Sequence, residues 1–244
     1  MTNNLAGLLA VTITADPTRP LLTWYDDASG DRTELSGATL ANWVAKTANL
    51  VVDGAGADAG DHAEVLLPPH WQTAAVLLGC WSAGLTVRAT GLTTDAEPTT
   101  EAGPAEPATE VLFATNDTRR VADRRPGGER YLLGLAPMAM PARDVAPGWV
   151  DYITEVRGHG DHFTPYPAVG PQDAQLAAHA VQRGADLGIP PGARVLLDVD
   201  RYPDPIDWLL APLTMEASVV LCRHLDRRLL DARADSEKVD HILG

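Results

Sequence analysis

His159-Gly-Asp161-His162 places two imidazoles and a carboxylate within four residues. Zinc and iron accept both kinds of ligand. A metal centre needs a further strong donor, and none is identifiable near this stretch. The cluster also falls in the irregular region Gly158–Gly170, and irregular segments run over the surface as a rule. It reads as a metal-free surface loop with exposed histidines; a metal site, or catalysis from this loop, is the alternative. Arg119-Arg120 and Arg124-Arg125 make a small basic cluster, read as a solvated face balanced by nearby acids, with an anion site as the alternative. Arg194 and Arg201 flank a strand end beside Asp198 and Asp200, where salt bridging is expected. Cys80 and Cys222 sit in apolar runs and read as small buried hydrophobes. No Gly-x-Ser-x-Gly elbow occurs, which argues against a Ser/His/Asp triad. No residue is assigned a catalytic, metal or cofactor role.

The elements that would position these groups alternate between strand and helix. Leu21–Tyr25 and Arg32–Leu35 read as a hairpin across the turn Asp26–Gly30. Ser36 reads as the N-cap of a helix from Ala38 to Val52, with Leu40, Val44, Thr47 and Val51 on one face. Gly54–Gly60 is glycine-rich but follows a helix, so it is not a dinucleotide fingerprint, which needs a strand before it. His62–Leu67, a very apolar helix Trp71–Ala83 closed by Gly84, and Leu85–Ala89 form a strand–helix–strand unit, implying a parallel pair. Thr93–Thr109 reads as a surface loop, with a binding loop as the alternative. Val111–Thr115 and Tyr131–Leu135 are expected strands, and helices are expected at Thr118–Asp123 and near Trp149–Val156. Then come helix Gln172–Leu187, strand Arg194–Val199, helix Asp204–Glu216, strand Ser218–Cys222 and helix Leu225–Ala234. The fold class is α/β: layered βα units with mainly parallel sheets flanked by helices.

Composition narrows the partners. The 244 residues, 45% hydrophobic and 21% charged, suit one large domain over 1–244 or two packed lobes, about 60–160 and the remainder. A net charge of −14 repels phosphate backbones and anionic membranes, so nucleic acid is a poor partner. Only Lys46 and Lys238 are lysines; arginine carries the other positive charge. No run approaches the roughly 18 apolar residues of a membrane span. The start, Met1-Thr-Asn-Asn, lacks a basic signal region, so a reducing cytoplasm is expected. Most of the six tryptophans fall in expected strands or helices and read as core, an interface being the sharper alternative.

Specific residues now carry a resemblance. Leu22-Thr-Trp-Tyr and Thr33-Glu-Leu-Ser are similar to the opening strands of the adenylate-forming (AMP-binding, acyl-CoA synthetase-like) enzymes. Gly60-Asp-His-Ala-Glu-Val-Leu-Leu-Pro-Pro resembles their Gly-Asp-Arg-Val-Ala strand, and Trp71–Gly84 their apolar helix ending in Ala-Gly. Gly188-Ile-Pro-Pro-Gly-Ala-Arg-Val-Leu-Leu resembles the segment after their phosphate loop, Pro212–Leu221 a later strand, and Glu237-Lys-Val their Glu-Lys-Val-Thr. The match covers most of the chain, more weakly between Gly91 and Gly170. It implies a partial N-terminal domain of that superfamily. The chain also resembles a group of short actinobacterial AMP-binding-like proteins.

Departures from the pattern decide the expected function. In the superfamily a Ser/Thr/Gly-rich loop ending in Pro-Lys-Gly wraps the ATP phosphates through backbone amides, hydroxyls and a lysine. The matching stretch here, Gly160–Asp173, has one threonine, three prolines, two aspartates and no lysine. The chain also stops before the superfamily's adenine-binding strand, magnesium motif, ribose-binding aspartate and catalytic lysine. The expectation is therefore a catalytically inactive binding or interaction module without a cofactor. A ligand-binding domain keeping a nucleotide or acyl pocket, and an enzyme of unrelated chemistry, are the alternatives. A homodimer or protein partner is expected, with Trp71–Ala83 and Asp204–Glu216 as candidate faces.

Overall fold

Side-chain alternation builds two five-stranded sheets in the computed structural model, which describes residues 5–92, 108–167 and 170–244. β1 (Pro20–Asp26) pairs antiparallel with β2 (Asp31–Ser36) across the expected turn. β1 also pairs parallel with β9 (Ser218–Arg223), which pairs with β8 (Arg194–Asp198), and β10 (His241–Leu243) closes the order β10-β8-β9-β1-β2. The second sheet is parallel throughout, in the order β4-β3-β5-β6-β7, from β3 (His62–Leu66), β4 (Thr86–Ala89), β5 (Val111–Ala114), β6 (Glu129–Leu132) and β7 (Val150–Asp151). Ala63, Val65, Val111 and Phe113 face the main core, while Leu112, Ala114 and Leu132 turn to a smaller cluster with Trp149. Most of the Thr93–Thr109 loop lies outside the described residues.

The layers meet at α3 (Trp71–Ser82), every residue of which is buried. It touches α1 (Leu5–Ile13), α2 (Gly37–Asn49) and strands of both sheets. A helix apolar all round belongs inside a protein. Trp71, Trp81 and Trp208 are only 2%, 1% and 1% exposed, so the two helices expected as partner faces are core instead. The α2–α3 crossing is close: a Cβ on Gly79 would lie 2.6 Å from Thr47 Cβ. Ser36 caps α2 as expected, its Oγ accepting from the Thr39 amide at 3.1 Å. Gly84 ends α3 in the left-handed region, φ +76°.

Several boundaries differ from expectation. The helix expected over Asp204–Glu216 is a π turn, Ile206–Leu210, followed by α7 (Ala211–Thr214). The helical run is unbroken from one to the other, and Pro212, in the first turn of α7, has no amide hydrogen and leaves one rung of the ladder unmade. Between β5 and β6 stands the single turn α4 (Arg119–Ala122), and the helix expected near Trp149 begins only at α5 (Tyr152–Val156), after β7. α6 (Gln172–Asp186) matches its expected span within a residue. The helix expected at Leu225–Ala234 runs later, as α8 (Leu230–Glu237), and it lies on the outer face of the β1 sheet. Among the described residues no helix is long and apolar enough to cross a membrane.

Candidate functional site

The loop joining α5 to α6 stands where the resemblance puts a phosphate cradle. Lys46, on α2, donates from Nζ to the His159 carbonyl at 2.5 Å. Asn49, one turn on, donates from Nδ2 to the carbonyls of Gly160 and His162 at 2.8 and 3.0 Å. Three loop carbonyls, of His159, Gly160 and His162, thus turn toward α2, and one of the two lysines holds the first of them. Farther along, the Tyr166 amide donates to the Ser82 carbonyl at 2.8 Å. Gln172 then acts as a one-residue strand partner for β4, accepting from the Val87 amide at 2.9 Å and donating to its carbonyl at 3.0 Å. Asp173 follows, 7% exposed, with a buried Oδ2 that no described residue bonds. Burial pushes its carboxyl up to about 6.

His162 and Asp161 are exposed and His159 is half-buried. Among the described residues no group of three or more His, Cys, Asp or Glu side chains could hold a metal ion. The arginine cluster is balanced by acids in part: Arg119 pairs with Asp123 at 3.5 Å and Arg125 with the buried Glu64 at 3.2 Å. Both cysteines are buried, and burial raises both thiols, Cys222 to about 11.

The pairing expected around Arg194 is corrected. Arg194 opens β8 and Asp198 closes it, so strand geometry holds them apart by on the order of 13 Å. Arg194 bonds Glu237 instead, at 2.6 Å through Nη2, and reaches the Glu237 carbonyl at 2.7 Å through Nε. Asp198 lies 3.8 Å from Arg227, and Asp200 accepts the His224 amide.

Glu237, only 8% exposed, is the centre of the densest polar cluster on the outer face of the β1 sheet. Its carboxylate accepts from the Tyr25 hydroxyl at 2.6 Å and from Arg32 at 2.9 and 3.2 Å, besides Arg194. Burial by itself would raise this carboxyl. The Tyr25 hydroxyl and the two guanidiniums outweigh it and hold the group at about 2. Arg32 is also tied to Glu34 at 2.6 Å. Around this hub opens a cleft of about 440 Å³ lined by Arg19, Arg32, Arg194, Ser218, Lys238 and Asp240, among others. The Glu237-Lys-Val motif marked this place in the sequence, but nothing local linked it to Tyr25, Arg32 and Arg194.

A second polar group lies at the carboxyl ends of β1 and β9. His224 Nδ1 is 2.8 Å from Asp26, and Arg233 pairs with Asp27 while stacking 4.2 Å over Tyr25. Asp26 is lowered: burial works upward, but hydrogen bonds from His224 and the Ala28 amide prevail. Nearby, His70 caps α3 through Nδ1, which accepts from the Gln72 amide at 3.2 Å. Burial lowers its pKa to about 3, so it is neutral and packs edge-on to Trp24. Sequence reasoning gave His70 no role, since a histidine cap has no distinct local signature.

The fold, two mostly parallel sheets packed on a buried helix, is shared with solved acyl-CoA synthetases and CoA ligases. An acyl-CoA synthetase from Brucella canis superposes with a TM-score of 0.72 at 17% identity, over 98% of this chain and 46% of that one. The N-terminal domain of FACL13 from Mycobacterium tuberculosis gives 0.63 at 15%, over 97% and 61%. The anthranilate CoA ligase AuaEII, solved with anthranoyl-AMP, gives 0.68 at 13%, over 98% and 48%. The chain thus spans about half the length of these structures, between 46% and 61%. No family model matches the sequence. A Mycobacterium tuberculosis H37Rv protein described as a TIGR03089 family protein is 37% identical over 251 aligned positions, covering 97% of this chain and 96% of that one, and the chain belongs to that family.

Proposed function

We propose that this chain is a non-adenylating binding module built on the adenylate-forming framework, working in the cytoplasm. The arrangement of the α5–α6 loop carries the reading. A phosphate cradle converges amide hydrogens and a cation on one point. Here the carbonyls of His159, Gly160 and His162 are committed to Lys46 and Asn49, Pro165, Pro167 and Pro171 contribute no amide hydrogens, and Asp161 and Asp173 bring negative charge. Positioning and charge stabilisation together supply much of the barrier lowering in such chemistry. ATP–pyrophosphate exchange with a panel of carboxylic acids is expected to stay at background. Robust acid-dependent exchange by the purified chain would refute the reading. Ligand binding without chemistry is the form of the function that the Glu237 cleft favours, because it joins a preformed volume to convergent charged groups.

A further inference from the structure

The cleft beside Glu237 has more hydrogen-bond donors than its own acids consume. Its lining brings together Arg19, Arg32, Arg194 and Lys238 against Glu34, Glu237 and Asp240. All three carboxylates are already engaged. Glu237 is held by Tyr25, Arg32 and Arg194, Glu34 by Arg32, and Asp240 accepts the Arg194 amide at 2.8 Å. The donors are not used up in return. Arg194 Nη1 makes only long contacts, 3.4 and 3.5 Å, to the Pro20 carbonyl and Ser218 Oγ. Arg19 engages only Nη2, with the Glu216 carbonyl at 3.3 Å. Among the described residues nothing bonds Arg32 Nη1 or Lys238 Nζ.

Lys238 adds a backbone observation. It ends α8 in the left-handed conformation, φ 54° and ψ 51°. Glycine adopts that conformation without steric cost and a lysine does not. A cation therefore occupies the cleft rim at a position the backbone would give to glycine. Rigid support completes the arrangement, since Glu237 clamps Arg32 and Arg194 from beneath and leaves their remaining nitrogens directed by that clamp rather than free to wander.

We propose that this cleft binds a small molecule bearing a multivalent oxyanion, a phosphate monoester or a polycarboxylate. The volume of about 440 Å³ exceeds what a bare phosphate fills and falls in the range of roughly 300–1,000 Å³ typical of small-ligand pockets. The chain's net charge of −14 disfavours a polyanionic macromolecule, leaving a compact anion that local donors can capture. The proposal deepens the binding-module reading and rests on it.

Titration calorimetry with glycerol phosphate and with citrate, each at ionic strength fixed by sodium chloride, tests it. Saturable binding of at least one is expected, and which one binds separates the phosphate source from the carboxylate source. Arg19→Gln with Lys238→Gly removes two cations outside the buried hub, and Lys238→Gly also relieves the backbone. Affinity should fall at least about tenfold, the scale of one lost charge-assisted bond. Arg201→Gln, an exposed arginine after β8, is the matched control and should bind like the parent. Should the double variant fail to fold, Lys238→Gly alone carries the test. No saturable binding, or equal losses in the Arg201 control, overturns the site. Acid-dependent pyrophosphate exchange would instead overturn the non-adenylating reading, so the two failures are distinguishable.

Discussion

Asp173→Asn should stabilise the protein near neutral pH and lose that advantage in acid. Asp173 is 7% exposed, and its Oδ2 is buried without a partner among the described residues. Burial moves its carboxyl from 3.8 to about 6. The folded state therefore holds a proton that the unfolded chain has released, and stability declines as pH rises from 3.8 through about 6. A gap of about two pH units corresponds to about 3 kcal/mol of penalty above that window. Two effects offset part of it: the N-terminal field of α6 favours a carboxylate, and the asparagine amide brings a donor that must also be buried. A net gain of about 1–2 kcal/mol near pH 7.5 is expected, about 2–8 °C in melting temperature for a chain of this size. Near pH 4 the gain should shrink below about 1 kcal/mol, since the folded carboxyl is then protonated and the unfolded one nearly half so. Urea unfolding followed by tryptophan fluorescence across that range measures both values. A loss of stability near pH 7.5, or the same difference at both ends, would refute the reasoning.

Glu237→Gln should cost about 3 kcal/mol at neutral pH, because it leaves Arg32 and Arg194 without their shared anion. The Glu237 contribution is present above pH 4.5 and lost as pH falls toward about 2, so the variant should show a shallower acid limb in denaturant titrations. Gly79→Ala sets a methyl 2.6 Å from Thr47 Cβ and should cost about 1–3 kcal/mol by thermal melting, without changing the far-ultraviolet spectrum. Elemental analysis should find no stoichiometric zinc or iron, and His162→Ala should leave metal content unchanged. On the sequence-based expectation of a homodimer, light scattering coupled to size exclusion should give twice the chain mass of 25.9 kDa; a clean single-chain species would refute it.

Local chemistry made much of the fold legible. Ser36 had a cap to make, Gly84 a left-handed turn, and the apolar runs around Val65, Phe113, Leu196 and Val220 could be little but buried strands. What escaped was long-range. Trp71–Ala83 is apolar on every side, which says that it is covered but not by which surface. The cover comes from its own chain, α1, α2 and two sheets. Arg194 had nearby acids in sequence, yet a strand carries Asp198 to its far end, and the true partner arrives on α8, 43 residues later. β10 has three residues, too few for a periodicity, and exists because β8 offers it a parallel ladder.

Among the described residues, buried carboxylates lie against an arginine or histidine, and Asp173, on the loop that resembles a phosphate cradle, does not. Glu64, Asp27 and Glu237 are each matched to arginine, as low-dielectric burial demands. Asp173 is not, although it stands in the first turn of α6. Where local chemistry breaks a rule the rest of the molecule keeps, function or its loss is the place to look. An unmatched acid there would repel the phosphates that an adenylating loop must hold, and Lys46 is already committed to the loop carbonyl of His159. Lys238, one of several non-glycine residues in the left-handed region, carries the opposite charge and borders a cleft whose acids are satisfied. On the proposed reading, Asp173 and Lys238 together separate the framework from its phosphate chemistry. The loop has lost the means to hold an anion, and the outer face of the β1 sheet has the donors to bind one.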